Sequence, residues 1–137
     1  QSTDVRRCMK KHGLSALEAE AIVLCTADIQ RFGGESEESP FYVYNCAIRE
    51  RDIEQIDKWK DFSFYLLEGL RKLPSVDCIG YRITGKNVRN LQKFKKGRYF
   101  CWAAYSFATM DWKVALKIFG NHGTLFKVHV SEGRELS

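Results

Sequence analysis

The sequence has no long apolar run and none of the short motifs that mark common cofactor sites. No apolar stretch approaches the roughly 20 residues that a bilayer-spanning helix needs, and no signal peptide is recognisable at the start. A phosphate-binding P-loop, a G-x-G-x-x-G turn and an H-E-x-x-H zinc motif are all missing. The sequence therefore predicts a soluble domain, either cytoplasmic or extracellular, and leaves the choice of compartment open.

Cysteine and histidine are too scattered to predict a metal site. The five cysteines form no C-x-x-C pair, and the three histidines have no ligand spacing. The cysteines are Cys8, Cys25, Cys46, Cys78 and Cys101. Buried free thiols in a reduced compartment are the simplest interpretation, and one or two disulfides in a secreted parent protein are the alternative. No metal cofactor is expected.

The sequence does contain enough apolar material for a core. Its 137 residues are 45% hydrophobic and 13% aromatic, which predicts one folded domain over 1–137. The net charge of +5 suits anionic ligands such as phosphates, but it is modest, and solubility explains it better than a dedicated nucleic-acid surface. A first residue other than Met and a polar stretch at 132–137 predict a piece of a longer protein, incomplete at its C-terminus.

Hydrophobic periodicity divides the chain into a helical part, about 1–74, and a strand-rich part, about 75–137. Helices are predicted over 4–12, 16–32, 41–50, 59–73 and 112–119, and strands over 77–84, 98–105 and 124–130. Because the helices come first and most strands come afterwards, the pattern favours an α+β fold.

Several helix ends have recognisable capping residues. Ser15 and Glu18 have the spacing of a capping box, in which each side chain bonds the backbone of the other residue. Asp4 is expected to cap the first helix and Gly13 to end it, while Asp111 is expected to cap the helix that begins at 112.

Clustered charges are interpreted first as solvated surface. The acid pairs Glu37–Glu38 and Glu132/Glu135 are expected in polar loops. Six basic residues fall within thirteen positions, at Lys86, Arg89, Lys93, Lys95, Lys96 and Arg98. A solvated face is the default for this cluster, and help in holding an adenosine phosphate is the alternative. Tyr99 and Phe100 beside it would suit base stacking on RNA, but their predicted strand position favours the core.

An ordered set of short pieces runs through nearly the whole chain. In the second half Tyr81-Arg82 lies in a predicted strand, a hydroxyl-bearing stretch follows at 105–109, and Asp111 with Val114-Ala115 belongs to a helix. The first half contributes Leu14-Ser15, Ala21-Ile22, Cys25-Thr26, Tyr44-Asn45, Ile48-Arg49 and Lys72-Leu73-Pro74. No piece is specific alone, but the ordered set resembles the arginine-specific mono-ADP-ribosyltransferases, the clan with an Arg–Ser–Glu signature.

The resemblance implies an ADP-ribosyltransferase-like fold, with a helical N-terminal half and a mainly antiparallel β half that forms an NAD cleft. It implies transfer of ADP-ribose from NAD⁺, or from NADP⁺, to a protein with an exposed arginine, with release of nicotinamide. It assigns catalytic roles to Arg82 and Ser106, and NAD⁺ binding to Arg82, Ser106, Phe107 and Thr109. A guanidinium can hold the pyrophosphate bidentately, and a carboxylate stabilises the oxocarbenium-like centre. That carboxylate, from the family's Glu-x-Glu loop, is expected beyond Ser137, after a run that 133–137 resembles.

The chain also departs from the family pattern. Phe107 occupies the position of the first serine in the family's Ser-Thr-Ser element, and it has no hydroxyl to donate. Ser106 is one residue away, on the opposite face of a regular strand unless a bulge intervenes. Ile83 replaces the glycine after the family's arginine. The departure at Phe107 supports one alternative, a catalytically inactive relative that binds NAD⁺ or a partner. A basic nucleic-acid-binding module unrelated to NAD⁺ is a second alternative.

Overall fold

The computed structural model describes residues 2–32, 38–84, 91–102, 104–120 and 122–136, apart from the side chain of Phe32. The helices are α1 (Thr3–His12), α2 (Ala16–Phe32), α3 (Pro40–Glu50), α4 (Ile53–Lys58), α5 (Lys60–Lys72) and α6 (Trp112–Phe119). The strands are β1 (Ser75–Thr84) and β2 (Thr124–Arg134), and one 3-10 turn spans Gln92–Phe94. Helices combined with a two-stranded antiparallel sheet are compatible with the predicted α+β class.

Some predicted residues lie outside the described ranges. They are Glu37 of the first acid pair, Lys86 and Arg89 of the basic cluster, and Ser137. Within the described ranges no helix is both long enough and apolar enough to cross a membrane.

Local capping chemistry sets several helix ends. The predicted capping box is confirmed: the Ser15 amide donates to Glu18 Oε1 at 3.2 Å, and the Glu18 amide donates to Ser15 Oγ at 3.3 Å. Asp111 caps α6 as predicted, accepting from the Lys113 amide at 2.9 Å. The prediction that Asp4 caps α1 is wrong, because Ser2 Oγ accepts from the Val5 amide instead. Asp4 lies within the first turn and pairs with Arg7 on the surface.

The core lies among the helices, with α2 packed against α1 and α5. Its buried members are mostly apolar and come from α1, α2, α3 and α5 and the segments that join them, and the largest include Ile22, Phe41, Tyr44, Leu66 and Leu73. Removing side chains of this size from water is the dominant favourable contribution to folding. The helical part therefore has its own apolar interior, on which the second half of the chain packs.

Two buried carboxylates connect α2 to its neighbours. Asp28 Oδ2 accepts from Ser39 Oγ at 2.9 Å and from the Phe41 amide at 3.0 Å, which holds the start of α3 on α2. Glu18 accepts from Lys72 Nζ at 2.8 Å, which joins α2 to the end of α5. The Lys72 ammonium and the Ser15 capping bonds lower the pKa of Glu18 against the opposing effect of burial.

The sheet consists of β1 and β2 in antiparallel register. Gly80 lies opposite Val128 and Arg82 opposite Phe126, with an irregularity in the ladder between Val76 and Cys78. Cys78, Gly80 and Arg82 alternate onto one face, because side chains alternate along a strand. Both strands are longer than predicted, and β2 includes Glu132, which was expected in a polar loop.

The predicted strand over 98–105 is wrong. None of its described residues joins a ladder, and the nearest pairing is an isolated bridge between Tyr81 and Thr109. Of the aromatic residues that suggested a strand, Trp102 packs on Phe126 and Tyr105 packs on Phe41 of the helical core, whereas Tyr99 is fully exposed. Strand propensity reflects packing of large side chains on a pleated surface, and these side chains do not pack in that way here.

Candidate functional site

A short extended segment, 105–109, lies along the free edge of β1 and brings the predicted site residues together. The Tyr81 amide donates to the Thr109 carbonyl at 2.7 Å, and the Thr109 amide donates to the Tyr81 carbonyl at 3.0 Å. Gly80 permits this close approach, since a Cβ there would lie 3.0 Å from the Cβ of Ala108. Arg82 on β1 is therefore adjacent to the hydroxyl-bearing segment, as the sequence suggested.

The Arg82 side chain is half-buried and held from two sides. Its Nη1 donates to the carbonyl oxygen of Phe107 at 3.1 Å, and its Cζ lies 5.6 Å from the centroid of the Phe119 ring in α6. The carbonyl and the ring face restrict the guanidinium to a defined orientation. The side chain is therefore not turned outward into bulk water.

Phe107 presents its backbone, not its ring, to Arg82. The ring packs edge-on against Phe41 with centroids 5.3 Å apart, on the side of the helical core. The Phe107 side chain, at the position where the resemblance places a serine, thus anchors the segment in the interior.

Ser106 and Thr109 differ in exposure and in partners. Ser106 is exposed and lines a cavity, whereas the neighbouring Phe107 points inward, in agreement with the expected alternation. Thr109 is half-buried, and its Oγ1 accepts from the Asp111 amide at 3.4 Å, just before α6. The hydroxyls predicted for the ribose site thus lie on one short segment, and Ser106 is the more exposed of the two.

A cavity of about 610 Å³ opens between the sheet and the helical part. Its floor includes Gly80 of β1, and Phe107, the hydrogen-bond partner of Arg82, also lines it. Arg82 itself is not among the lining residues. The walls are largely apolar, and the residues with polar side chains that line them include Thr26, Gln30, Ser106, Thr109, Arg134 and Glu135. A mainly apolar cavity with a few convergent polar groups is the usual form of a small-molecule site.

Asn45 holds the segment in place and was missed as a site residue. Its Nδ2 donates to the Tyr105 carbonyl at 2.8 Å, and its Oδ1 accepts from the Tyr105 amide at 2.9 Å. Burial and the neighbouring Tyr44 hydroxyl raise the pKa of Tyr105. The sequence did contain one indication of this role. Asn45 falls among the inward positions of α3, and a buried amide side chain needs polar partners from elsewhere in the fold.

Arg134 at the end of β2 and Glu135 just after it also line the cavity. Arg134 Nη1 donates to the Leu73 carbonyl at 3.0 Å, and the Glu135 amide donates to the Pro74 carbonyl at 3.3 Å. Glu135 lies outside β2 in a loop, as predicted, but it is half-buried in the cavity wall and not fully solvated. Only the pairing of the chain end with the start of β1 places it there, and no local motif indicates that pairing.

Comparison with other proteins does not assign the chain to a family. No protein-family model, curated protein or solved structure matches it. In the described part of the chain, no group of three His, Cys, Asp or Glu side chains could hold a metal ion.

Proposed function

We propose that the chain is the NAD⁺-binding part of a mono-ADP-ribosyltransferase that modifies protein arginine, with NADP⁺ as a second donor. In that reaction the bond between C1′ of the ribose and the nicotinamide nitrogen breaks, and nicotinamide leaves with the bonding electrons. A guanidinium nitrogen of the acceptor then bonds C1′ and gives up a proton, so charge and atoms balance. The proposal also rests on the ordered residues that resemble the family.

The bond from Arg82 to the Phe107 carbonyl is the observation that carries the proposal. It holds a strand guanidinium against the backbone of Phe107, which follows Ser106 in the chain and lines a cavity of about 610 Å³, a volume in the range of roughly 300–1,000 Å³ expected of ligand sites. A planar guanidinium of fixed orientation matches the geometry of a diphosphate. Arg82 would thus anchor the dinucleotide, and Ser106 would approach the nicotinamide ribose.

The position of Phe107 favours a second candidate function. Phe107 has no hydroxyl, although the resemblance expects one at this position, and its ring packs on Phe41 in the interior. A relative of the transferases that binds NAD⁺ or a protein partner without turnover would tolerate this substitution. The two candidates share the binding site and differ only in release of nicotinamide.

Titration of the 137-residue chain with NAD⁺ by isothermal calorimetry tests the shared site. Replacing Arg82 with Ala should weaken binding by about 10- to 100-fold, the effect of losing charge-assisted hydrogen bonds. Replacing Arg82 with Lys should give an intermediate loss, because an ammonium keeps the charge without the planar fork. Arg71→Ala is the matched control, since Arg71 forms an exposed pair with Glu68 on the surface of α5.

Circular dichroism of each variant separates lost binding from lost structure. Unchanged affinity in a folded Arg82→Lys and Arg82→Ala pair would refute the anchoring role. An assay of nicotinamide release by the natural protein in its full length distinguishes the two candidates. Release supports the transferase, whereas NAD⁺ binding without release supports the inactive relative.

A further inference from the structure

The segment 91–102 forms an aromatic and basic surface that the proposed NAD⁺ site does not use. Sequence reasoning assigned Tyr99 and Phe100 to a buried strand, and the structure contradicts this. Tyr99 is fully exposed, and Phe100 and Trp102 keep 43% and 36% of their surface in solvent. These rings therefore do not belong to the core, and Tyr99 is accessible to a base.

A tight turn creates the surface. After the 3-10 turn Gln92–Phe94, the Arg98 amide donates to the Lys95 carbonyl at 3.1 Å, and Gly97 adopts a φ of 84°. A residue with a side chain rarely takes that conformation, so glycine is what allows the reversal. The reversal brings Phe94 and Phe100 together, with ring centroids 4.7 Å apart.

A closed group of four rings supports the segment from beneath. Phe94 packs on Phe100, Phe100 on Trp102, and Trp102 on Phe126 of β2, while Phe126 returns to Phe94, all with centroids 4.7–5.4 Å apart. Edge-to-face packing of this kind stabilises aromatic groups beyond the area they bury. These rings hold the segment on Phe126 of the sheet, and the Tyr99 side chain extends from the segment into solvent.

The charge on the segment has one sign. The twelve residues contain Lys93, Lys95, Lys96 and Arg98 and no Asp or Glu. All four cations are exposed, and among the residues the structure describes none of them forms an ion pair. Uncompensated cations next to accessible rings provide both elements that single strands require, a positive track for phosphates and flat surfaces for bases.

We propose that residues 91–102 bind single-stranded nucleic acid, with Tyr99 stacking on a base and the four cations contacting the backbone. A duplex fits less well, because its bases are already stacked and offer no free face to Tyr99. An anionic membrane also fits less well, because the turn itself consists of Lys95, Lys96, Gly97 and Arg98 rather than of apolar side chains that could enter the acyl region.

Fluorescence anisotropy with a labelled twelve-nucleotide oligo-uridine and the 137-residue chain tests the proposal. Tyr99→Ala should weaken binding by about 5- to 100-fold, as measured for single stacked bases, and Tyr99→Phe should restore it. Because Tyr99 is fully exposed, neither change should affect folding. Phe64→Ala is the matched control, since Phe64 is an exposed aromatic residue on α5.

Salt dependence tests the role of the charges. If each of the four cations contacts one phosphate, raising salt from 50 to 200 mM should weaken binding by about 50-fold, and Lys95→Gln with Lys96→Gln should flatten this dependence. Lys10→Gln on α1 should leave the slope unchanged. Equal affinity of Tyr99→Ala and the parent chain overturns the proposal. So does binding to phosphatidylserine vesicles or to duplex RNA without binding to the single strand.

Discussion

Asn45 and Tyr105 are joined by two hydrogen bonds although they lie 60 residues apart in the chain. The amide of Asn45 serves the Tyr105 backbone as a neighbouring strand would, donating to its carbonyl and accepting from its amide. The bonds connect α3 in the helical core to the segment that bonds Arg82. The position of the candidate site therefore depends on a side chain in the other half of the molecule.

Replacing Asn45 with Ala should lower the free energy of unfolding by about 2 kcal/mol, because it leaves backbone groups of Tyr105 without partners in a largely buried place. Urea denaturation followed by circular dichroism measures the loss. Gln92→Ala removes an exposed amide and should have little effect. If Asn45→Ala lowers the free energy of unfolding no more than this control does, the two hydrogen bonds between Asn45 and Tyr105 do not contribute to stability.

Replacing Lys72 with Met should destabilise the protein by about 1–3 kcal/mol at pH 7, the usual effect of losing a hydrogen bond to a charged group. Lys72 is the main cause of the lowered pKa of Glu18. A carboxylate with a lowered pKa stabilises the fold above its unfolded pKa, about 4.3, and this contribution is lost as pH falls through the folded value. The difference between parent and variant should therefore shrink below about pH 4.

Urea denaturation at pH 7 and at pH 3.5 provides the comparison for Lys72→Met. Arg71→Met removes the exposed pair with Glu68 on the same helix and should change stability little at either pH. A difference between the parent chain and Lys72→Met that persists unchanged at pH 3.5 would contradict the assigned role of Glu18.

The cysteines should differ sharply in reactivity. Cys101 is exposed, whereas Cys25 is 1% exposed in the core and burial raises its pKa. Labelling with a thiol reagent at pH 7.5, followed by peptide mass spectrometry, should modify Cys101 rapidly and Cys25 only on unfolding. Cys101→Ser should remove the rapid phase. Equal rates at the two sites would show that Cys25 is not in the interior.

The raised pKa of Cys25 also has a consequence at alkaline pH. A thiol whose folded pKa is raised contributes stability below its unfolded pKa, about 8.5, and this contribution is lost as pH rises above that value. The parent chain should therefore lose stability between about pH 8 and pH 10 more steeply than Cys25→Ala. Parallel pH profiles, measured by urea denaturation, would contradict this expectation.

Several helix ends and the position of one strand could be predicted from the sequence, because capping residues and hydrophobic patterns lie close to them. The capping box of Ser15 and Glu18, the Asp111 cap and the strand that carries Arg82 all follow from interactions between residues a few positions apart. The same local reasoning chose Asp4 over Ser2 as a cap, because both are good capping residues and the sequence does not rank them.

The other features depend on packing between residues that are far apart in the sequence, and local patterns do not indicate such partners. The segment 98–105 is not a strand, because Trp102 packs on Phe126, Tyr105 packs on Phe41, and the Tyr105 backbone bonds Asn45. The placement of Phe107 in the core, with only its carbonyl near Arg82, likewise follows from the approach of the helical part to the sheet. Composition and short-range spacing therefore set which elements form, whereas burial and satisfaction of polar groups across the two halves set which side chains meet.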